Sequence, residues 1–303
     1  MFIFISYLDK PGPLNAEKTI VLPKGFSLNQ ISHKLYKENV IDYPKLFLIA
    51  AKLLSLKYNF KAGEYKFTPK ISSKTIFSIL IDGKSVIHKL TIVEGLTTTQ
   101  IVNLINSEAR LLGEITVNLK EGELLPETYF FSYGDSKQTL INRMQIKLQE
   151  TINELWPKRA PNLPISTVAE AITLASIVEK ETSLSSERPR IAAVFMNRLK
   201  KGMKLQADPT TIYAITLGKV DFNRSLTKKD LGLKSEFNTY FTNALPPYPI
   251  CNPGKASIAA VLNPDQTDEL FFVVDGSGGH KFSNNYSQHH KNVIEYRKKN
   301  LAK

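Results

Sequence analysis

The chain has 303 residues, 42% of them hydrophobic and 22% charged, with a single cysteine and a formal net charge of +12. That length and composition suit about two globular domains and exclude fibrous, disordered and disulfide-stapled chains. The lone Cys251 cannot form an internal disulfide, and no Cys/His group has metal-ligand spacing, so neither a metal nor another cofactor is expected.

A basic surface attracts nucleic acid, anionic lipid or an acidic polymer. Here the lysines are spread along the whole chain, and no basic run alternates with aromatics as a nucleic-acid groove would require. A solvated lysine-rich surface without a nucleic-acid partner is the reading.

The chain opens on MFIFISYL, Met1–Leu8. This stretch is apolar but much shorter than the ~20 residues of a spanning helix. It reads either as the last part of a membrane anchor or as a first strand. No other segment is long and apolar enough to span a bilayer.

Three strand–turn–capped-helix patterns follow. In Ile20–Leu35 and in Thr91–Ile105, a β-branched strand meets a glycine (Gly25, Gly95) and then Ser27 or Thr97. In Tyr65–Leu80, Ser72 takes the cap position. A Ser or Thr there accepts a hydrogen bond from a free helix N–H. A further helix is expected over Tyr43–Leu56. Residues 18–83 thus read as a small βααβ module, which resembles a LysM-type glycan-binding module; a local folding unit with no ligand of its own is the other reading.

Lys120–Tyr133 carries Tyr129, Phe130, Phe131 and Tyr133, suited to stacking on sugar rings or to a buried strand. A helix over Lys137–Trp156 and a linker marked by Pro157, Pro161 and Pro164 come next. The helix expected over Ser166–Thr182 is apolar on nearly all sides until it ends in Glu179, Lys180, Glu181 and Thr182, so it belongs in the core. A carboxylate at the C-terminal end of a buried helix is disfavoured by desolvation and by the helix dipole, which raises its pKa. A raised pKa suits a general acid near neutral pH. Glu179 and Glu181 lie about 200° apart around a helix, so they cannot face each other. Periodicity leaves open which one faces a cleft.

Glu187–Leu205 reads as another helix with a turn at Gly202, and Asp208 as the cap of a helix that starts at Pro209. Phe271–Asn285 reads as a hairpin around Gly276, Gly278 and Gly279. The candidate binding residues of the second half of the chain are Gln206, Asp208, Asn238, Tyr240 and His280. Each also fits a cap, turn or core hydrogen bond, Asp208 most of all.

LASIVEKET (174–182), ERPRIAAVFMNRLKKGMKLQADPTTIYA (187–214), FNTY (237–240), LPPYPICNPGKASIAAVLNP (245–264) and FFVVDGSGGHKFSNN (271–285) occur in this order, after FKAGEYKF (60–67) and IVEGLT (92–97). Together they resemble the endolytic murein transglycosylases of the MltG/YceG-like group, over residues 18–298. The chain departs from that pattern, YNTY and GLPPGPI, at Phe237, Ala244 and Tyr248.

The resemblance implies an α+β protein. Residues 1–17 would be the remnant of a membrane anchor and linker, 18–88 a LysM-like subdomain and 89–303 a mixed α+β catalytic domain. It implies a single-pass inner-membrane protein with the catalytic domain on the extracytoplasmic side, acting on peptidoglycan glycan strands alongside peptidoglycan synthases. The implied reaction cleaves MurNAc–GlcNAc β-1,4 bonds in nascent strands, leaves 1,6-anhydroMurNAc ends and terminates elongation. The family's catalytic glutamate maps onto Glu181, with Glu179 as the fallback. The alternative is a non-catalytic peptidoglycan-binding protein.

Overall fold

The computed structural model describes the backbone of residues 7–301 and the side chains of residues 7–298. Apart from Tyr7 and Leu8, the apolar opening read as an anchor remnant or a strand lies outside the described residues. The chain divides into two compact units. One runs to Leu90 and also takes in Glu108–Glu114 and Tyr129–Leu140; the other comprises Thr91–Ser107, Ile115–Thr128 and the chain from Ile141 onward.

In the first unit, β1 (Lys18–Leu22) pairs antiparallel with β2 (Gly63–Phe67), Ile20 opposite Tyr65. Between them lie α1 (Leu28–Lys37) and α2 (Pro44–Ser55), and α3 (Ser73–Asp82) follows. Ser27 and Gln30 form a reciprocal capping box on α1, and Ser72 caps α3. Leu35, Phe47, Tyr65, Phe67, Ile76 and Leu80 fill the core. β3 (Ile87–Thr91) pairs with β4 (Thr128–Ser132), where Tyr129 and Phe131 are buried and Phe130 is exposed. That alternation is the signature of a strand with one covered face.

A chain of polar contacts secures the Glu108–Glu114 segment. The His88 ring bonds Glu64 through Nε2 and faces the Arg110 guanidinium through Nδ1 at 2.8 Å. Arg110 in turn holds Glu108 with two bonds of 2.7 Å, which keeps the Glu108 carboxyl down at about 2. After Leu90 the chain returns to this unit twice, with Glu108–Glu114 and Tyr129–Leu140.

The second unit begins with α4 (Thr98–Ser107) and contains most of α5 (Lys137–Leu155). Its centre is α6 (Val168–Glu181), packed against α7 (Arg188–Lys200) and α10 (Lys255–Leu262). Between these last two come α8 (Asp208–Thr216) and the short α9 (Lys228–Leu231). The hairpin β5 (Phe271–Val274) and β6 (His280–Ser283) packs on α7 and on α11 (Tyr286–Leu301).

α6 is buried at every position from Ala171 to Val178, so neighbours surround it instead of covering one stripe. A capping box of Thr167 and Glu170 starts it, and Glu170 accepts the Ser166 and Thr167 N–H groups at 2.7 and 2.9 Å. These bonds, set against some burial, lower the Glu170 pKa. Ser176 accepts the Ile250 N–H at 3.0 Å, and the Cys251 thiol donates to the Ser176 carbonyl at 3.3 Å. Burial pushes the Cys251 pKa up. Among the described residues no helix is long and apolar enough to cross a membrane.

Candidate active site

α6 ends at Glu181, and Thr182 turns the chain into extended backbone (φ −145°, ψ 138°). The helix carries Glu181 to a cavity of about 360 Å³ in the second unit. Gln206, Asp208, Tyr240 and His280 line the same cavity, with Arg198, Phe271, Tyr286 and His289. Among the described residues, no hydrogen bond or ion pair holds the Glu181 carboxylate. A half-buried carboxylate without such partners favours its proton. Burial is the main cause that pushes its pKa up to about 8; the Asp208 charge adds to the rise and the Arg198 guanidinium opposes it.

Asp208 is not the helix cap. Ala207 occupies the N-cap, so Asp208 is the first residue of α8 and Pro209 the second. Its carboxylate is free of capping and accepts the Tyr240 hydroxyl at 2.6 Å. Burial, then that bond, pushes the Tyr240 phenol up. Gln206 adopts the left-handed conformation (φ 50°), which costs a non-glycine residue about 1–3 kcal/mol. The following strand of contacts pays that cost: Gln206 N–H donates to the Thr239 carbonyl at 3.2 Å and Ala207 N–H to Thr239 Oγ1 at 3.0 Å.

His280 is held by Glu187. Oε1 accepts the His280 backbone N–H at 2.9 Å, and Oε2 meets Nδ1 at 2.7 Å. Gly279 permits the approach, since a Cβ there would lie 2.9 Å from Glu187 Oε1. Thr182, next to Glu181, reaches the same carboxylate at 3.5 Å. Glu187 therefore ties the hairpin to the end of α6.

Two candidates lie elsewhere. Asn238 is fully buried and does not line the cavity. Its Oδ1 accepts from Thr211 Oγ1 (2.8 Å) and Tyr240 N–H (3.1 Å), and its Nδ2 donates to the Leu231 and Leu233 carbonyls. It is a loop-bracing residue. Glu179 points away from the cavity lining, pairs with buried Arg188 at 2.9 Å and accepts the Gly254 N–H at 2.9 Å. Arg188 also reaches Glu94 at 2.9 Å.

Sequence reasoning missed Arg198, Glu187, Phe271, Tyr286 and His289. Arg198 is buried and donates to the Leu270 carbonyl (2.6 Å) and the Leu205 carbonyl (2.7 Å), which joins three walls of the cavity. Burial lowers its pKa. The His289 ring stacks on Phe271 (centroids 5.1 Å apart, 22° between planes), and burial lowers its pKa too. Among the described residues no group of three or more His, Cys, Asp or Glu is arranged to hold a metal ion.

The model of the YceG-like family matches residues 20–295. The chain is 32% identical to the endolytic murein transglycosylase of Bacillus subtilis (strain 168), across 97% of this chain and 89% of that protein. It is 27% identical to the endolytic murein transglycosylase of Streptococcus pneumoniae serotype 2 (strain D39), across 95% of this chain and 61% of that protein. A crystal structure of a yceG-like protein from Listeria monocytogenes matches with a TM-score of 0.57 and 31% identity, over 91% of this chain and 98% of that one. With a family match over nearly the whole chain and relatives at this identity, the chain belongs to the YceG-like family.

Proposed function

We propose that the protein is an endolytic peptidoglycan lytic transglycosylase with Glu181 as its acid and base. One observation carries the reading: a carboxyl group without a partner among the described residues, pushed up to about 8, at the wall of a cavity of about 360 Å³. Protonated Glu181 donates to the glycosidic oxygen between N-acetylmuramic acid and N-acetylglucosamine, and the C1–O bond breaks. An oxocarbenium-like state develops at the muramic anomeric carbon. The ionised Glu181 then takes the proton of the C6 hydroxyl as that oxygen bonds to C1. The product is a 1,6-anhydro end, and Glu181 is protonated again. Proximity favours the internal hydroxyl over water.

Asp208 is the other carboxylate of the cavity. Bonded by Tyr240, it acts by keeping the charged form of Glu181 unfavourable. Gln206, Tyr240 and His280 orient the sugars. The names of the relatives in Bacillus and Streptococcus support murein as the substrate. The wider reading follows: cleavage of nascent strands outside the cytoplasm, at an anchored position near peptidoglycan synthases, so that elongation stops. The β1-α1-α2-β2 order supports a LysM-like glycan-reading role for the first unit.

The experiment is digestion of purified sacculi, with mass analysis of the products. Wild-type protein should release 1,6-anhydro ends and Glu181→Gln should not. Reducing ends without anhydro sugars, or an active Glu181→Gln variant, would overturn the mechanism. A chain that sediments with sacculi but yields no new ends would be the non-catalytic binder instead.

A further inference from the structure

A second cavity of about 470 Å³ adjoins the first. It is lined by Asn197, Lys200, Lys201, Asp268, Leu270 and Asn285, among others. Three chain segments serve both cavities with consecutive residues. On α7, Asn197 lines the second and Arg198 the first. At the start of β5, Leu270 lines the second and Phe271 the first. At the start of α11, Asn285 lines the second and Tyr286 the first. The same three segments therefore stand between the two cavities and form the wall they share.

That wall is braced. Asn197 Nδ2 donates to the carbonyls of Thr267 (2.8 Å) and Glu269 (3.0 Å), and Arg198 Nε to the carbonyl of Leu270 (2.6 Å). The second cavity is thus preformed. Its charges are uneven. Lys200 and Lys201 are exposed, and among the described residues neither ammonium has an ion-pair or hydrogen-bond partner. The one carboxylate of the lining, Asp268, accepts from Asn284 Nδ2 at 3.2 Å. Two open ammonium groups, a carboxylate and several amides match a peptide with more carboxylates than amines. They do not match an apolar ligand.

A murein strand has that shape. Its glycan chain carries a short peptide, rich in carboxylates and with a diamino acid, on each muramic residue. A glycan bound at Glu181 must send such a branch out of the first cavity. An extended peptide advances about 3.3–3.6 Å per residue, so four or five residues reach over one wall. We propose that the second cavity is a subsite for this peptide branch, with Lys200 and Lys201 pairing its carboxylates and Asp268 its amine. The assignment rests on the transglycosylase reading above. It makes the enzyme a reader of strands whose peptides are still in place.

The test uses the full chain on glycan strands carrying their peptides and on the same strands stripped by an amidase. Wild-type protein should show a KM several-fold lower for the peptide-bearing strands. The Lys200→Ala/Lys201→Ala variant should lose that difference while cleaving stripped strands as well as wild type does. Equal KM values for the two substrates in wild type, or an equal loss on both in the variant, overturn the subsite. Calorimetry of a soluble disaccharide–peptide with Glu181→Gln protein, with and without the lysine substitutions, keeps the two readings apart. Absence of anhydro ends with lysine-dependent binding removes the chemistry and keeps the subsite. Lysine-independent binding removes the subsite and leaves the chemistry standing.

Discussion

The Glu187 carboxylate grips His280 at two points, the backbone N–H at 2.9 Å and ring Nδ1 at 2.7 Å, across 93 residues of sequence. The backbone group can only donate, so a glutamine at 187 must turn its amide oxygen toward it. The amide NH2 then confronts Nδ1, which has to accept, and the ring proton moves to Nε2. Glu187→Gln should therefore switch the His280 tautomer without loosening the hairpin. Loss of one substrate hydrogen bond, about 1 kcal/mol, lowers kcat/KM roughly fivefold. Ring-nitrogen NMR and steady-state kinetics on the same sample check both halves; an unchanged tautomer refutes the assignment.

Glu181 couples stability to pH. Its carboxyl titrates at 4.5 in its ordinary state and at about 8 in the fold, so the folded chain holds this proton more tightly. The stability this contributes is complete below about pH 4.5 and is lost as pH rises through about 8. Glu181→Gln keeps the shape without the charge. The Tm of the variant relative to wild type should climb across that window and stay level below it. Paired thermal melts over a pH series measure this.

Asp208 should tune the reaction. Its charge helps raise Glu181, and Asp208→Asn keeps an oxygen for the Tyr240 hydroxyl while removing that charge. The Glu181 pKa then falls. The alkaline limb of the activity profile should move to lower pH, with little change in Tm. A profile identical to wild type would separate the two carboxylates electrostatically.

Arg188 and Glu179 form a buried pair whose partners depend on each other, with 7% and 4% of their side chains exposed. Arg188→Met strands the Glu179 charge, and such a loss costs about 3–5 kcal/mol. The double variant Glu179→Met/Arg188→Met should recover most of it. Denaturant titration of the three proteins decides whether the pair acts as a structural unit.

Phe237 and Tyr248, two of the three departures from the family pattern, are in contact with each other. Their rings stand 4.6 Å apart at 71°, and Tyr213 packs on both at 5.1 and 6.3 Å. Such an edge-to-face pair contributes about 0.5–1.5 kcal/mol beyond burial. A double-mutant cycle with Phe237→Leu and Tyr248→Ala should return a coupling of that size.

Local chemistry explains what the sequence disclosed. The caps at Ser27, Ser72 and Thr167 depend on side chains within a few residues, and the unbroken apolar run of α6 requires burial. Gln206, Asp208, Tyr240 and His280 were named from residue type within the matching motifs, and all four come to the wall of the cavity that Glu181 reaches. Glu187 and Arg198 were not, because their partners lie 93 and 72 residues away. Asn238 looked like a ligand-binding residue because its type suits that role, yet its four bonds all go to the chain. The one-residue shift that makes Ala207 the cap also eludes pattern reading, since proline tolerates more than one place in a first turn.

The hidden thiol of Cys251 makes the protein its own clock. Its sulfur is buried in the core beside α6 with its hydrogen on the Ser176 carbonyl, and burial holds it in the unreactive thiol form. An alkylating reagent can reach it only when that core opens. The rate of labelling under native conditions therefore counts openings of the scaffold beneath Glu181, with no probe introduced.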